Sequence, residues 1–279
     1  MHIIAVYRAQ PLLFCFDNTQ ISIFSHRNFK TYKMKILVPI AKVPDTTSKI
    51  AFIDNNTKFN PDGVTFIMNP TDEWYALVRA IELKEKQGGE VVVIHVGLAD
   101  SDPIIRKALA LGADRAIRVD ADPTDAYFVA TQIAAQAKEG AFDLIITGKE
   151  TIDYNSFELG GMIAELLDWP AVALVSKLEI ENGVATLKRE VEGGTETVEV
   201  KLPMLVGAEK DLAIARIPNM KGIMSAKSKP VAVVAATGDT KLTVIANYAL
   251  PDKAKQIKYI SPDNVGELVR LLHEEAKVI

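Results

Sequence analysis

Cysteine occurs once in this chain, at Cys15, so no disulfide can form within it and a reducing compartment fits. Histidine is also scarce. His2, His26, His95 and His273 are scattered, with no close-spaced cysteine or carboxylate cluster, which argues against a structural metal site. No apolar run approaches the roughly 20 residues that span a bilayer, so the chain is expected not to be membrane-embedded. Positive charge is not in excess: 32 Lys and Arg face 36 Asp and Glu, for a net charge of -4. With no basic stripe interleaved with aromatics, nucleic acid is not an expected partner. A P-loop is missing, and no acid–base or metal constellation stands in for one, so a free-standing nucleotide-hydrolysing or adenylating enzyme finds no support. What remains is ordinary for a globular chain: 279 residues, 48% hydrophobic and 24% charged, enough for one large domain or a domain with an arm.

Residues 1–33 stand apart. They carry Arg8, Arg27, Lys30 and Lys33 against Asp17, a local charge of +3 that leaves -7 for the remainder of the -4 chain. These residues are expected to be an upstream extension before MKILVPIAKVPDT, which opens at Met34; an organelle presequence, typically Arg-rich and acid-poor, is the alternative reading. From Met34 the chain alternates between two patterns. Ile36–Ile40, Val91–Val96, Ala116–Val119 and Leu144–Thr147 are short apolar runs expected to form buried strands. Between them lie helix signals. Asn69-Pro70 resembles an N-cap with proline in the first turn, followed by Asp72 and Glu73 where the helix dipole favours acids, and Gly88-Gly89 is a stop. Asp102-Pro103 opens a second helix ending at Gly112; further helices are expected over 124–138 and 158–167. This alternation predicts βαβ units in an α/β fold, a parallel sheet with helices on both faces. Ligands of such sheets bind beyond the strands' carboxyl ends, where strand order reverses.

After Pro170 the pattern changes to short strands, expected over 172–176, 177–181, 184–190 and 196–201. Gly193-Gly194 supplies a hairpin turn between the last two. Residues 231–260 read as extended, and Ser261-Pro262-Asp263 precedes a last helix with Val265, Leu268, Leu272 and Ala276 at near-helical spacing.

The segment from Lys188 to Pro230 is the most specific. It supplies Arg189, Glu190, Glu192, Gly193, Gly194, Leu202, Pro203, Leu212, Arg216, Ile223, Met224, Ala226, Lys227, Lys229 and Pro230 in order. This pattern resembles the signature of the electron-transfer flavoprotein beta subunits, and the resemblance runs from Met34 to about Ile260. A stress-type nucleotide-binding module would account for the sheet but leave this segment unexplained. The resemblance implies a Rossmann-like, adenine nucleotide alpha-hydrolase-like fold with an added β-hairpin and an extended C-terminal arm. It implies three regions: an extension over 1–33 outside the family pattern, a nucleotide-binding α/β domain over 34–225, and an arm with a helix over 226–279 that packs on an alpha subunit. It implies an electron carrier without catalytic residues of its own. In such a carrier FAD is held mainly by the alpha subunit and AMP by the beta subunit. Electrons pass from flavin dehydrogenases, such as the acyl-CoA dehydrogenases of fatty acid β-oxidation, to a membrane quinone oxidoreductase. The implied location is the cytoplasm in a bacterium or the mitochondrial matrix in a eukaryote.

The implied AMP site comprises Pro39; Asn69, Pro70, Thr71 and Asp72; Val96; and the loop Gly148, Lys149, Glu150, Thr151, Ile152, Asp153, Tyr154, Asn155, Ser156, Phe157, Glu158 and Leu159. These positions fall at strand carboxyl ends or helix N-termini, where free N–H groups favour phosphate. Taken alone, GKE is equally a strand-to-helix turn. The loop departs from the AMP-type pattern, which carries Asn and Thr where Phe157 and Leu159 stand here. A carboxylate 4 Å from a phosphate costs roughly 4 kcal/mol at an effective dielectric near 20. Glu158 is therefore expected to point away, to meet ribose hydroxyls, or to mark a different ligand. In the electron-bifurcating branch a second FAD replaces AMP, and Asp153, Ser156, Glu158, Leu159 and Gly160 follow that branch's spacing loosely. Asp45 and Thr46, in the turn Val43–Thr47, correspond to the segment facing the alpha-bound flavin; a plain proline turn is the alternative. The implied docking loop is Ala208, Glu209, Lys210, Asp211, Leu212, Ala213, Ile214, Ala215, Arg216 and Ile217, with Leu212 as an exposed anchor. Lys227 and Lys229 are expected near phosphate or the partner surface, or simply in solvent.

Overall fold

The structure is a computed structural model that describes residues 33–251 and 257–279. The reading of residues 1–32, Cys15 included, lies outside the described residues. Strands β1 (Met34–Pro39), β2 (Lys42–Pro44), β3 (Phe52–Ile53), β4 (Lys58–Phe59) and β5 (Phe66–Met68) lead to helix α1 (Asp72–Gln87). Then follow β6 (Gly89–Val96), α2 (Asp102–Leu111), β7 (Arg115–Asp120), α3 (Ala126–Gly140), β8 (Leu144–Gly148) and α4 (Leu159–Leu167). The second half holds β9 (Ala171–Glu181), β10 (Val184–Val191), β11 (Gly194–Lys201), β12 (Met204–Ala208), α5 (Met220–Ala226), β13 (Val231–Ala235) and α6 (Val265–Glu274).

Nine strands form one sheet in the order β11-β10-β9-β12-β8-β1-β6-β7-β13. Its centre is parallel; only the β9-β10-β11 end is antiparallel. The central strands are apolar without alternation because both faces are covered. Alternate residues of each strand serve opposite cores: Ile36 and Val38 pack with α1 and α2, while Leu37, Val92 and Ile94 pack with α3 and α4. The chain passes from β1 to β6 and β7 on one side, then returns through α3 to β8 on the other side of β1. Strand order thus reverses between β1 and β8, and a crevice opens beyond Pro39 and Gly148.

Several boundaries differ from the sequence reading for identifiable reasons. The strands expected at 172–176 and 177–181 are one strand, β9, interrupted by a bulge: Leu174 has φ +59° and the register against β12 shifts there. Asn69 does not cap α1; Thr71 holds the N-cap position, and the Asn69 side chain bonds elsewhere. The last helix begins at Val265, after Asn264 rather than within Ser261–Asp263.

The described chain separates into two compact units: 33–49 with 61–244, and 50–60 with 245–251 and 257–279. β13 pairs in parallel with β7, and the segment after it is held to α3. Gln132 exchanges two hydrogen bonds with the Thr237 backbone, and Asp125 accepts from the Leu242 and Thr243 amides. In the smaller unit Phe52 stacks on Tyr248, with ring centroids 4.9 Å apart.

Gly89 fixes how β1 meets β6. It lies opposite Met34, its φ is +113°, and an added Cβ would fall 2.0 Å from the Met34 carbonyl oxygen. Gly89→Ala is expected to cost about 3 kcal/mol, the upper range of overpacking with a backbone penalty added, read as a lowered urea midpoint. A variant as stable as the parent would show that the two strands can separate at this point without loss.

Candidate functional site

The crevice is assembled from four chain segments. Pro39 ends β1, and the chain continues through Ile40 and Ala41 into the β2–β5 ribbon. Asn69, Pro70 and Thr71 lead from β5 into α1, with Asp72 as its first residue. Gly148 ends β8, and residues 149–158 loop to Leu159, which opens α4. Val96 ends β6, one strand beyond β1, and is buried, so it contributes wall rather than a polar group.

Polar contacts tie these segments together. The Asn69 backbone N–H donates to the Ala41 carbonyl at 3.1 Å, and its side-chain Nδ2 donates to the Glu150 carbonyl at 2.9 Å. Glu73 lies one residue beyond the positions singled out in the sequence. Its Oε2 accepts from the Ala41 N–H at 2.7 Å, and its side chain runs beneath Gly148. Burial pushes the Glu73 carboxyl up to about 8, with Asp153 and Asp72 adding repulsion, while the Ala41 N–H and Asn69 act in the opposite sense. Burial also raises the Asp72 carboxyl, while Lys149 and the Glu150 amide pull it down. Two acids at the start of a helix were legible as dipole partners. Their burial depends on β8 crossing above them, which no local pattern announces. Gly148 is glycine for the same reason: a Cβ there would come within 2.8 Å of both the Glu73 amide nitrogen and its Cγ. Gly148→Ala is expected to push the first turn of α1 off β8 and to cost about 1–3 kcal/mol, measured by thermal unfolding against the parent.

On the far side of the loop is a cavity of about 280 Å³ lined by Thr147, Lys149, Phe157, Gly160, Arg189 and Leu205, among others. No side chain caps α4, and a Cβ at Gly161 would meet nothing within 4 Å, so the first turn of α4 is open to a ligand. Lys149 lies 3.6 Å from Glu150 and 4.0 Å from Glu209, leaving it loosely held. Asp153, Tyr154, Asn155, Ser156, Phe157 and Glu158 are exposed, and Asn155 and Phe157 hold positive φ. Glu158 is exposed at the end of the loop, in the N-cap position of α4, and caps it with no side-chain hydrogen bond. Open backbone donors, a nearby lysine and an apolar wall suit a phosphate joined to a ring system.

The turn that follows β2 is orderly. Asp45 Oδ1 accepts from both the amide and the hydroxyl of Thr47, which lowers the Asp45 pKa. Thr46 sits exposed at its tip. Sequence reasoning gave His95 no role. Its Nδ1 lies 2.8 Å from the Ile40 carbonyl, and burial lowers its pKa, so it is a neutral brace between β6 and the end of β1.

The expected docking loop needs two corrections. Leu212 is not exposed; it is 5% accessible, in a 3₁₀ turn that joins the core beside α1. Ala208 is buried at the end of β12, with Glu209 half-buried behind it and Lys210 and Asp211 in solvent. The exposed apolar residues are Ile214 and Ile217, at 84% and 89%, flanked by Ala213 and Ala215. Arg216 anchors the loop from behind: its guanidinium grips Glu85 at 2.9–3.0 Å, and its carbonyl accepts from Trp74 Nε1 at 3.1 Å. Lys229 also differs. Its Nζ donates to the Leu109 and Ala113 carbonyls at the end of α2, where a cation favours the helix dipole.

The sheet order, the crevice at its reversal and the helices on both faces define a Rossmann-like α/β protein. Comparison with known proteins narrows this. The model of the electron transfer flavoprotein domain matches residues 57–239. The electron transfer flavoprotein subunit beta of Bacillus subtilis (strain 168) is 36% identical over 260 residues, covering 88% of this chain and 100% of the relative. The subunit of that name from Syntrophomonas wolfei subsp. wolfei is 38% identical, covering 81% of this chain and 89% of the relative. The Homo sapiens one is 34% identical, covering 88% and 99%. The chain belongs to the electron transfer flavoprotein family, among its beta subunits. Membership ties it to electron transport, to a flavin and to an alpha-subunit partner. Among the described residues no helix is long and apolar enough to cross a membrane.

Proposed function

We propose that this chain is the beta subunit of a heterodimeric carrier that takes electrons from flavin dehydrogenases, such as acyl-CoA dehydrogenases, and delivers them to a membrane quinone oxidoreductase. On this reading FAD sits mainly in the alpha subunit and supplies the redox chemistry when bound, while AMP occupies the crevice between β1 and β8. The observation that carries the nucleotide assignment is the convergence at the strand-order reversal. There Asn69 links Ala41 to the 148–159 loop, and on the far side of that loop α4 offers an uncapped, glycine-lined first turn. Lys149 and the backbone of the loop would hold the phosphate; Asn69 and the end of β1 would hold the base and ribose. Asp45 and Thr46 would face the flavin. Ile214 and Ile217, rather than Leu212, would enter a dehydrogenase, and the exposed Val265, Leu268 and Val269 of α6 would pack on the alpha subunit.

A second FAD in place of AMP is favoured by one feature. Phe157 lines the cavity beyond the loop from a positive-φ position, where a ring system longer than AMP would reach it. Release of bound cofactors by acid from the purified heterodimer tests both readings. One FAD and one AMP per heterodimer supports the first, and two FAD without AMP the second. A heterodimer with no nucleotide in this subunit overturns the site assignment.

A further inference from the structure

Ala41 is gripped on both sides by the entrance to α1. Its N–H donates to Glu73 Oε2 at 2.7 Å, and its carbonyl accepts from the Asn69 N–H at 3.1 Å. The same Asn69 reaches the ligand loop through its side chain, at the Glu150 carbonyl. Immediately beyond Ala41 the chain enters β2, which pairs with β5 from Lys42↔Met68 to Pro44↔Phe66. The ribbon then closes with the Asp45 N–H on the Thr65 carbonyl at 2.8 Å. β5 runs directly into Asn69, so both strands carrying the Asp45–Thr47 turn are rooted at the clamp on Ala41. Glu73 is 4% exposed and Asn69 fully buried, so neither side chain has water as a substitute partner. The titratable groups facing Glu73 are Asp72 on α1 and Asp153 on the ligand loop. Asp72 is in turn bonded to the Glu150 amide.

We propose that Glu73, together with Asn69, is a positioning residue that transmits occupancy of the β1/β8 crevice to the Asp45–Thr47 turn. A ligand that orders the 148–159 loop fixes the Glu150 carbonyl, which fixes Asn69, the Ala41 peptide and the ribbon behind it. The inference rests on the reading that a nucleotide binds in this crevice. It adds that the nucleotide tunes the position of a distant turn as well as stabilising the fold, by biasing a connected hydrogen-bonded element.

The test is hydrogen exchange of the full-length chain, stripped of nucleotide and then titrated with AMP or, separately, FAD. In the parent, ligand is expected to slow exchange at least tenfold in peptides covering 148–159 and also in those covering 41–48. Glu73→Gln keeps an acceptor for Ala41 and should reproduce both effects. Glu73→Met fills the space without an acceptor; it should keep the protection at 148–159 and lose most of that at 41–48. Ligand protection at 148–159 without any at 41–48 in the parent would overturn the inference, and this arm needs no variant to fold. Equal protection of 41–48 in parent and Glu73→Met would overturn the role of Glu73. Absence of ligand protection at 148–159 would instead overturn the underlying site assignment.

Discussion

Replacing Glu73 by Gln is expected to make the protein more stable than the parent, by an amount that grows from about pH 4.5 and levels off above about pH 8. The Glu73 carboxyl is buried beneath Gly148, and its pKa stands at about 8 against 4.5 for the free side chain. Between those values the folded state holds a proton that the unfolded state has released. Stability therefore falls with rising pH, by up to about 1.4 kcal/mol per pH unit. The favourable contribution is fully present below 4.5 and is lost as pH passes through about 8. Glutamine is neutral throughout, keeps an oxygen to accept from Ala41, and escapes the loss. The gain of Glu73→Gln over the parent should be near zero at pH 4.5 and on the order of 4 kcal/mol by pH 9. Urea denaturation of both proteins across that range reads it directly. Parallel pH profiles would mean that Glu73 is ionised in the folded protein at a cost already met by partners, and the assignment of a neutral acid would be wrong.

The second large effect separates Leu212 from its neighbours. Leu212→Ala removes a side chain packed in the core beside α1 and is expected to destabilise the protein by about 2–5 kcal/mol. Ile214→Ala and Ile217→Ala remove exposed side chains and should change stability by no more than about 0.5 kcal/mol. Function should divide the other way. If Ile214 and Ile217 enter a partner's apolar pocket, their joint replacement by Asp forfeits roughly 3 kcal/mol of burial, about 100-fold in kcat/KM for reduction by a dehydrogenase. Chemical denaturation and a steady-state dehydrogenase assay on the same variants decide the matter. A stable Leu212→Ala that loses electron transfer would restore Leu212 as the docking anchor.

The contrast shows what the sequence could and could not disclose. The βαβ alternation was legible because buried parallel strands are apolar without interruption and their helices begin and end with Pro, Gly and acids. The β10–β11 hairpin was legible from Gly193-Gly194, with Gly193 at φ +86° in the turn. Leu212 was not, because a leucine between Asp211 and Ala213 has the same local pattern whether its 3₁₀ turn faces the core or solvent. The bulge at Leu174 has no local signature, because a leucine at φ +59° contradicts local preference; Gly207 packs closely on the backbone of Ala173 beside it. The Val231–Ala235 strand has the composition of an extended linker; its place at the sheet edge depends on β7 and α3. At the candidate site the chain segments were legible and the contacts between them were not. Asn69 read as a helix cap but bridges two loops, and Glu73 read as a dipole partner but holds the Ala41 peptide.

We propose that this chain closes a flavin carrier while holding a nucleotide of its own at the β1/β8 crevice. The most direct test is to purify the complex with its alpha subunit and count FAD and AMP per heterodimer after acid release. One FAD and one AMP are expected, with the AMP lost in Gly148→Ala while FAD is retained. A heterodimer that carries FAD in the alpha subunit and nothing in this chain would contradict it.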